Sequence, residues 1–385
     1  MPHEQKPEGK SLRSQSLDLL RFPLAVIVAA IHVTATRSYW VDGSQIRFSD
    51  MDGSHLFYGF FDAFLRNQSV PIYFFIAGYV FFLGITLTID TYGHKLKNRT
   101  KSLLIPYVSW NTLAVLIALL AFLPEFKTIL PNIQNIHFHW NIPSILETFW
   151  NAWFGIFSTD RPMAPGGLIY PQDYPLWFVR DLMIIVVSAP MIYFCLKTTR
   201  WYAVAFIGIV WFALSPYKLG HFSQMLNGYF FFTWGAYMSY HGRDMIKDFR
   251  HFFKLCAGGY LVISTALWLC NFPEWLYDYL KSANVILGMV MAYGLASLLI
   301  ESGRVKTSKF LAASSFFVYA GHGLIVAYIN VALFQIFTPR SFLPVALIYL
   351  TTLIIAVGGL CVLFGLLGKY APLLQQIFAG RRYKK

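Results

Sequence analysis

The sequence predicts an all-α polytopic integral membrane protein, a bundle of about ten transmembrane helices with interfacial or re-entrant helices on its outer side. Three observations lead there. Of the 385 residues, 57% are hydrophobic and 13% are charged, whereas a soluble globular chain is about 45–50% apolar and about 25% charged. Too few polar side chains remain to cover a soluble surface. The chain also carries 36 Phe, 23 Tyr and 11 Trp, residues that bury readily and exclude a disordered polymer. Finally, apolar runs recur at the length of about 20 residues that a bilayer-crossing helix needs.

Taken in order, the candidate spans are 17–36, 70–89, 102–123, 176–196, 201–214, 223–240, 252–270, 283–300, 311–334 and 341–367. The fifth is short, closed by Ser215-Pro216, and the last is long enough to tilt. Charge supports the count. An even number of spans puts both termini on one side, and that side then holds Lys95–Lys101, Lys197, Arg200, Arg243–Lys254, Arg304–Lys309 and the basic C-terminus. Deleting the fifth span would move the later basic loops to the other face and destroy the positive-inside pattern. The net charge of +13 is thereby explained as orientation and needs no nucleic acid. Residues 1–16 resemble the start of a signal peptide, but the apolar runs that follow favour an uncleaved first span. One domain results: a cytoplasmic tail over 1–16, a membrane domain over 17–367 and a basic cytoplasmic tail over 368–385.

Two outer segments exceed simple turns. In 124–175, Pro143 suits a first helical turn, and apolar residues at 145, 146, 149, 150, 153, 154 and 157 form one helical stripe too short to span. Residues 54–66, with Phe57, Phe60, Phe61 and Phe64, read the same way. Trp140, Trp150, Trp153 and Trp177 suit an interfacial aromatic belt or stacking on sugar rings. His137-Phe138-His139 lacks a third ligand at usable spacing, so no metal site is expected. Cys195, Cys256, Cys270 and Cys361 lie in or beside apolar runs without CxxC spacing and read as small buried hydrophobes.

The chemistry-bearing residues begin in the first span. Asp18 and Arg21 lie one turn apart, where an ion pair can form. Eleven residues at about 100° each return to nearly the same face, so Arg21 and His32 share a helix side about 16 Å apart. Ionisable groups inside a span are costly and mark function by default. A neutral imidazole at that depth can accept a proton, which makes His32 a candidate general base. The same residues would also serve as an interfacial anchor and a helix–helix hydrogen bond, and spacing alone leaves both open. Arg180 and Asp181, early in the fourth span, point about 100° apart and could serve different partners, orienting an acceptor or holding the second nitrogen of His32. Tyr319 and His322 share one face of the ninth span, where hydrogen bonds to neighbouring helices are common.

Leu17-Asp18-Leu19-Leu20-Arg21 followed after ten residues by His32 resembles the Arg-x10-His signature of acyltransferase type 3 membrane proteins. Val70–Tyr79 (VPIYFFIAGY), Lys101–Tyr107 (KSLLIPY), Leu176–Leu182 (LWFVRDL) and Ser315–His322 (SFFVYAGH) are similar to that family's motifs in spans two, three, four and nine. The resemblance implies a bacterial cytoplasmic-membrane enzyme of about ten spans that moves an acyl group, usually acetyl from cytosolic acetyl-CoA, to a hydroxyl of a cell-surface or secreted glycan. It implies a glycan or glycolipid acceptor and membrane lipid as partners, and no resident cofactor, acetyl-CoA being a cosubstrate. His32 would take the essential histidine's role and Arg21 that of its paired arginine. Lys97, Arg99 and Lys101 stand where the family often has Arg-x-x-Arg and would meet the donor's phosphates. Asp18, Trp177, Arg180, Asp181, Tyr319 and His322 are candidates to contact the acceptor or support the site. The competing reading is a secondary transporter or exporter of a polysaccharide, because intramembrane Arg, His and Asp also build substrate pathways. No inverted repeat in hydropathy supports it.

Overall fold

A computed structural model describes residues 11–41, 44–84, 86–120, 142–151 and 169–380. Helix α1 (Leu12–Val33) starts at Ser11, whose hydroxyl caps the Ser14 N–H at 3.3 Å. The apolar stretch from Leu17 is therefore preceded by a polar helical turn. A small antiparallel hairpin follows, β1 (Ser38–Val41) on β2 (Ser44–Arg47), a local feature that apolar patterning did not announce. Next come α2 (Ser54–Phe64), α3 (Ser69–Phe82) and α4 (Ile89–Arg99). A π-helical turn at Thr100–Leu104 joins α4 to α5 (Ile105–Leu120). The rest of the chain forms α6 (Ile142–Thr148), α7 (Trp177–Val187), α8 (Ala189–Thr199), α9 (Trp201–Leu214), α10 (His221–Tyr240), α11 (Met245–Leu269), α12 (Glu274–Glu301), α13 (Lys309–Phe337), α14 (Phe342–Tyr370) and α15 (Pro372–Ala379).

The all-α polytopic architecture is as expected, but the tally of spans differs. Among the described residues, six helices are long and apolar enough to cross a membrane, or seven if the bent pair α7–α8 forms one span. That pair bends by 59° beside Pro190, which lacks the N–H for the preceding turn and crowds its carbonyl. Helix α9 with its following turn covers only Trp201–Tyr217. Helix α3 has 14 residues. Length does not limit α3, because it lies in the middle of the bundle and owes the lipid little apolar surface. Its partner there is α10. A Cβ placed on Gly78 would sit 2.0 Å from the Phe232 carbonyl oxygen, and one on Gly235 would sit 2.1 Å from that of Phe75. These glycines let the two backbones touch, the usual route to close packing without a hydrophobic drive between helices.

Of the outer segments, 54–66 contains α2 as anticipated. Only the start of the 143–157 stripe is described, as α6. Trp140, Trp153 and His137-Phe138-His139 lie outside the described residues. The C-terminal segment is docked where it is described: the Trp110 indole N–H donates to the Phe378 carbonyl at 2.9 Å, holding α15 against α5.

Candidate active site

Helix α1 delivers three of the expected residues. Arg21 donates to Asp18 at 2.9 Å, one turn away, in a half-buried pair. The Tyr73 hydroxyl of α3 donates to the Arg21 carbonyl at 2.6 Å, locking that turn against the bundle core. His32 sits in the last turn. Its position is fixed by a buried latch: the Asn330 side-chain amide donates to the Val33 carbonyl at 2.9 Å and to the Thr36 hydroxyl at 3.1 Å. The Thr352 hydroxyl donates to the Asn330 carbonyl oxygen at 2.7 Å. Every polar group of Asn330's side chain except one lone pair is thus used, as a buried amide requires.

His32 belongs to a ring cluster built from three parts of the chain. Its imidazole stacks on that of His322 with centroids 5.1 Å apart and planes at 22°, and the edge-to-face Tyr174 ring lies at 4.7 Å. No described residue hydrogen-bonds either ring nitrogen of His32. His322 is fully buried, and its Nδ1 faces the Val318 carbonyl at 3.3 Å. A carbonyl only accepts, so Nδ1 carries the hydrogen and Nε2 is the bare nitrogen of the neutral ring. That Nε2 has no partner among the described residues. Tyr319, one turn earlier, donates its hydroxyl to the Pro175 carbonyl, and its ring lies 6.0 Å from that of His322.

The expected donor-binding cations divide. Arg99 and Arg21 line the same cavity of about 260 Å³, together with Tyr73, Ser102, Ser315 and Tyr319. Arg99 ends α4 where the π-helical turn begins, the kind of helix irregularity that commonly re-aims functional side chains. Lys97 and Lys101 are exposed and do not line this cavity. Of the cavity's tyrosines, Tyr319 has its ring 6.0 Å from that of His322, and Tyr73 packs on Tyr319 at 6.1 Å. At the start of α3, beside Val70 and Pro71, a second cavity of about 370 Å³ is lined by Arg66, Trp177, Trp211, Gln224, Asn227 and Lys281.

Arg180 and Asp181 do not serve separate partners. The guanidinium folds back onto the neighbouring carboxylate at 2.8 Å, and both are buried. Arg180 also donates to the Trp150 carbonyl at 2.7 Å, lies over the Trp150 ring at 5.2 Å, and approaches His221 Nδ1 at 3.4 Å. Backbone direction suggested divergence, but a long flexible side chain can turn around its own helix. This knot ties α7 to Trp150 and α10, and no hydrogen bond joins it to His32. Trp177 is half-buried in the second cavity wall.

Asp173, Tyr174 and Asn330 escaped sequence reasoning. Nothing in their local pattern marks them; only the position of 173–175 directly before Leu176-Trp177 could have drawn attention. Asp173 is 1% exposed, and neither carboxyl oxygen has a hydrogen-bond partner among the described residues. It precedes the fourth span, and burial pushes its carboxyl well above the usual carboxylate range.

The chain is similar to known proteins over most of its length. Residues 14–364 match the family model described as an acyltransferase domain. The succinoglycan biosynthesis protein ExoH of Rhizobium meliloti is 26% identical over 329 residues, covering 83% of this chain and 80% of the relative. No solved structure matches.

Proposed function

The chain belongs to the acyltransferase-domain family, and from that premise we propose that it transfers an acetyl group from cytosolic acetyl-CoA to a hydroxyl of a cell-surface or secreted polysaccharide, with His32 as the general base. The observation that carries this reading is the cation-lined cavity of Arg21 and Arg99, whose Tyr319 lies beside the His322 ring that stacks on His32. Paired guanidiniums suit the phosphates of a coenzyme A thioester. In this reading that cavity opens to the cytosol, as do both termini, and Lys97 and Lys101 add charge around its mouth. The thin pantetheine arm carries the acyl group past Tyr73 and Tyr319 toward His32.

The acceptor approaches from the opposite side through the cavity of Trp177, Trp211, Gln224 and Asn227, whose aromatic faces and amides suit a sugar. The biosynthetic role named for the Rhizobium relative supports a polysaccharide acceptor. His32 takes the proton of the acceptor hydroxyl as its oxygen bonds to the acyl carbon. The tetrahedral intermediate then expels the thiolate as the C–S bond breaks, and the imidazolium returns the proton to that sulfur. Ester and free thiol are the products.

The test uses purified protein in detergent, radiolabelled acetyl-CoA and surface polysaccharide stripped of its esters by mild alkali. Label is expected to enter the polysaccharide, and His32→Ala is expected to abolish transfer while leaving folded protein at the wild-type yield. Wild-type rates in that variant would remove His32 from the chemistry, and incorporation from succinyl-CoA alone would change the donor.

A further inference from the structure

The buried Asp173 carboxyl group has no role in the fold that the structure reveals, yet it sits beside the reacting centre. Its segment is held by main-chain and neighbouring groups. The Gln172 N–H donates to the Thr148 carbonyl at 2.9 Å, and the Asp173 N–H donates to the Asn111 side-chain oxygen at 3.0 Å. The Pro175 carbonyl accepts from Tyr319. None of these bonds uses the Asp173 side chain. They lay residues 173–175 along the face of α13 that carries Tyr319, His322 and Gly323. Asp173 Oδ1 would lie 2.7 Å from a Cβ on Gly323, so the absence of a side chain there admits the carboxyl against the helix. Residues next to it bracket His32: its sequence neighbour Tyr174 packs its ring on that imidazole, and His322, next to the Gly323 that it approaches, stacks on it.

A buried polar group without a partner is rare and calls for an explanation. An ionised carboxylate in this position would be strongly disfavoured, because no described cation or N–H reaches either oxygen. The protonated acid avoids that penalty and has an O–H to donate. Acyl transfer needs such a donor, since negative charge collects on the carbonyl oxygen as the hydroxyl adds. Charge cannot be supplied by His32, which is taking a proton. His322 cannot supply it in its neutral form either, because its hydrogen is committed to Val318.

We propose that Asp173 is a catalytic residue of the acyl-transfer centre, donating a hydrogen bond from its neutral carboxyl group to the carbonyl oxygen of the acyl donor as the tetrahedral intermediate forms. The inference rests on the acyl-transfer reading with His32 as base. In the step, the acceptor oxygen bonds to the acyl carbon and its proton passes to His32. The carbonyl π pair moves onto oxygen, where the Asp173 O–H holds it without transferring its own proton. Collapse restores the carbonyl, breaks the C–S bond, and the thiolate takes the proton from His32.

The experiment compares wild type, His32→Ala, Asp173→Leu and Asp173→Asn in the labelled acetyl-CoA assay with alkali-stripped polysaccharide, alongside thermal unfolding of each protein. Leu keeps the branched shape and removes the donor, while Asn keeps an N–H donor without an acid. Asp173→Leu is expected to lower kcat by about 10²–10³-fold, the usual effect of removing one such donor, with KM for acetyl-CoA changed less than about threefold. Asp173→Asn should retain more than a tenth of wild-type kcat, and both should unfold no earlier than wild type. If the Leu variant fails to fold, Asp173→Ala takes its place. Wild-type kcat in the Leu or Ala variant overturns the proposal, as does an Asn variant no better than Leu, which would show that a titrating carboxyl is required. Those results leave wild-type transfer and the His32→Ala loss intact. Failure of the underlying reading differs: wild type then transfers nothing, or His32→Ala transfers normally, and the role of Asp173 falls with it.

Discussion

The Asn330 latch permits a quantitative test of how His32 is held. Replacing Asn330 by Leu removes the partner of three groups, the Val33 carbonyl, the Thr36 hydroxyl and the Thr352 hydroxyl. Asn330 and Thr352 are both fully buried, so Thr352 finds no water in exchange. Hydrogen bonds between membrane helices average about 0.6 kcal/mol, up to about 1.7, and an orphaned buried group costs about 1–3 kcal/mol. Thr36 is half-exposed and contributes least. Asn330→Leu is therefore expected to destabilise the protein by about 2–3 kcal/mol. The lost bond to Val33 also frees the turn that carries His32, and a displacement of about 1 Å can cost about 10²-fold in rate. Equilibrium unfolding in mixed micelles measures the first quantity, and acetyl transfer by the folded fraction measures the second. Adding Thr352→Val supplies the control: with both polar partners gone, part of the stability should return, because paired removal leaves fewer orphaned groups. A single variant within 0.5 kcal/mol of wild type, by the usual tolerance for surface changes, would refute the latch.

Two further predictions concern the donor cavity and the helix crossing. Arg99→Ala is expected to raise KM for acetyl-CoA by tenfold or more, following the roughly 1.5–3 kcal/mol of a hydrogen bond to a charged group, whereas Lys101→Ala should change it less than about threefold; equal effects would dissociate donor binding from the cavity. Gly78→Ala should lower the yield of folded protein sharply, since its Cβ would meet the Phe232 main chain at 2.0 Å and overpacking typically costs about 1–3 kcal/mol or more. Gly358→Ala, with nothing within 4 Å, is the control, and matching yields for the two would refute the close crossing.

The first span was the most legible part of the site. Arg21, Asp18 and His32 all lie on one helix, where fixed angular spacing converts sequence distance into geometry, and the Asp18–Arg21 pair forms as that spacing requires. Apolar length found the long lipid-facing helices for the same reason: one face of each must match the bilayer. It was a poorer guide to α3, which ends at Phe82 instead of running to 89. A helix surrounded by protein need not span the full hydrocarbon thickness, so its length is set by neighbours and not by lipid. Arg180 and Asp181 show the limit of angular reasoning. Backbone direction separates them, yet rotamers along the Arg180 chain bring its guanidinium back to 2.8 Å from Asp181.

What the sequence conceals is the meeting of distant segments. Asn330 reaches a carbonyl 297 residues away, and no local pattern distinguishes it from any other asparagine in an apolar helix. Asp173 is hidden more deeply, because its significance lies in bonds it does not make. A carboxyl in a loop before a span reads as an exposed polar residue until the fold places it against Gly323 and removes its partners. The same fold brings in His322, whose Nδ1 is satisfied within its own helix while Nε2 is left bare. Both groups sit in the segments that carry Tyr174 and His322, whose rings pack on the half-buried His32 imidazole. Buried polar groups left without partners weaken a fold, and sites of chemistry are where such local violations concentrate. Asp173 and His322 are two of several such groups among the described residues, and they belong to the segments whose Tyr174 and His322 rings pack on His32 of α1.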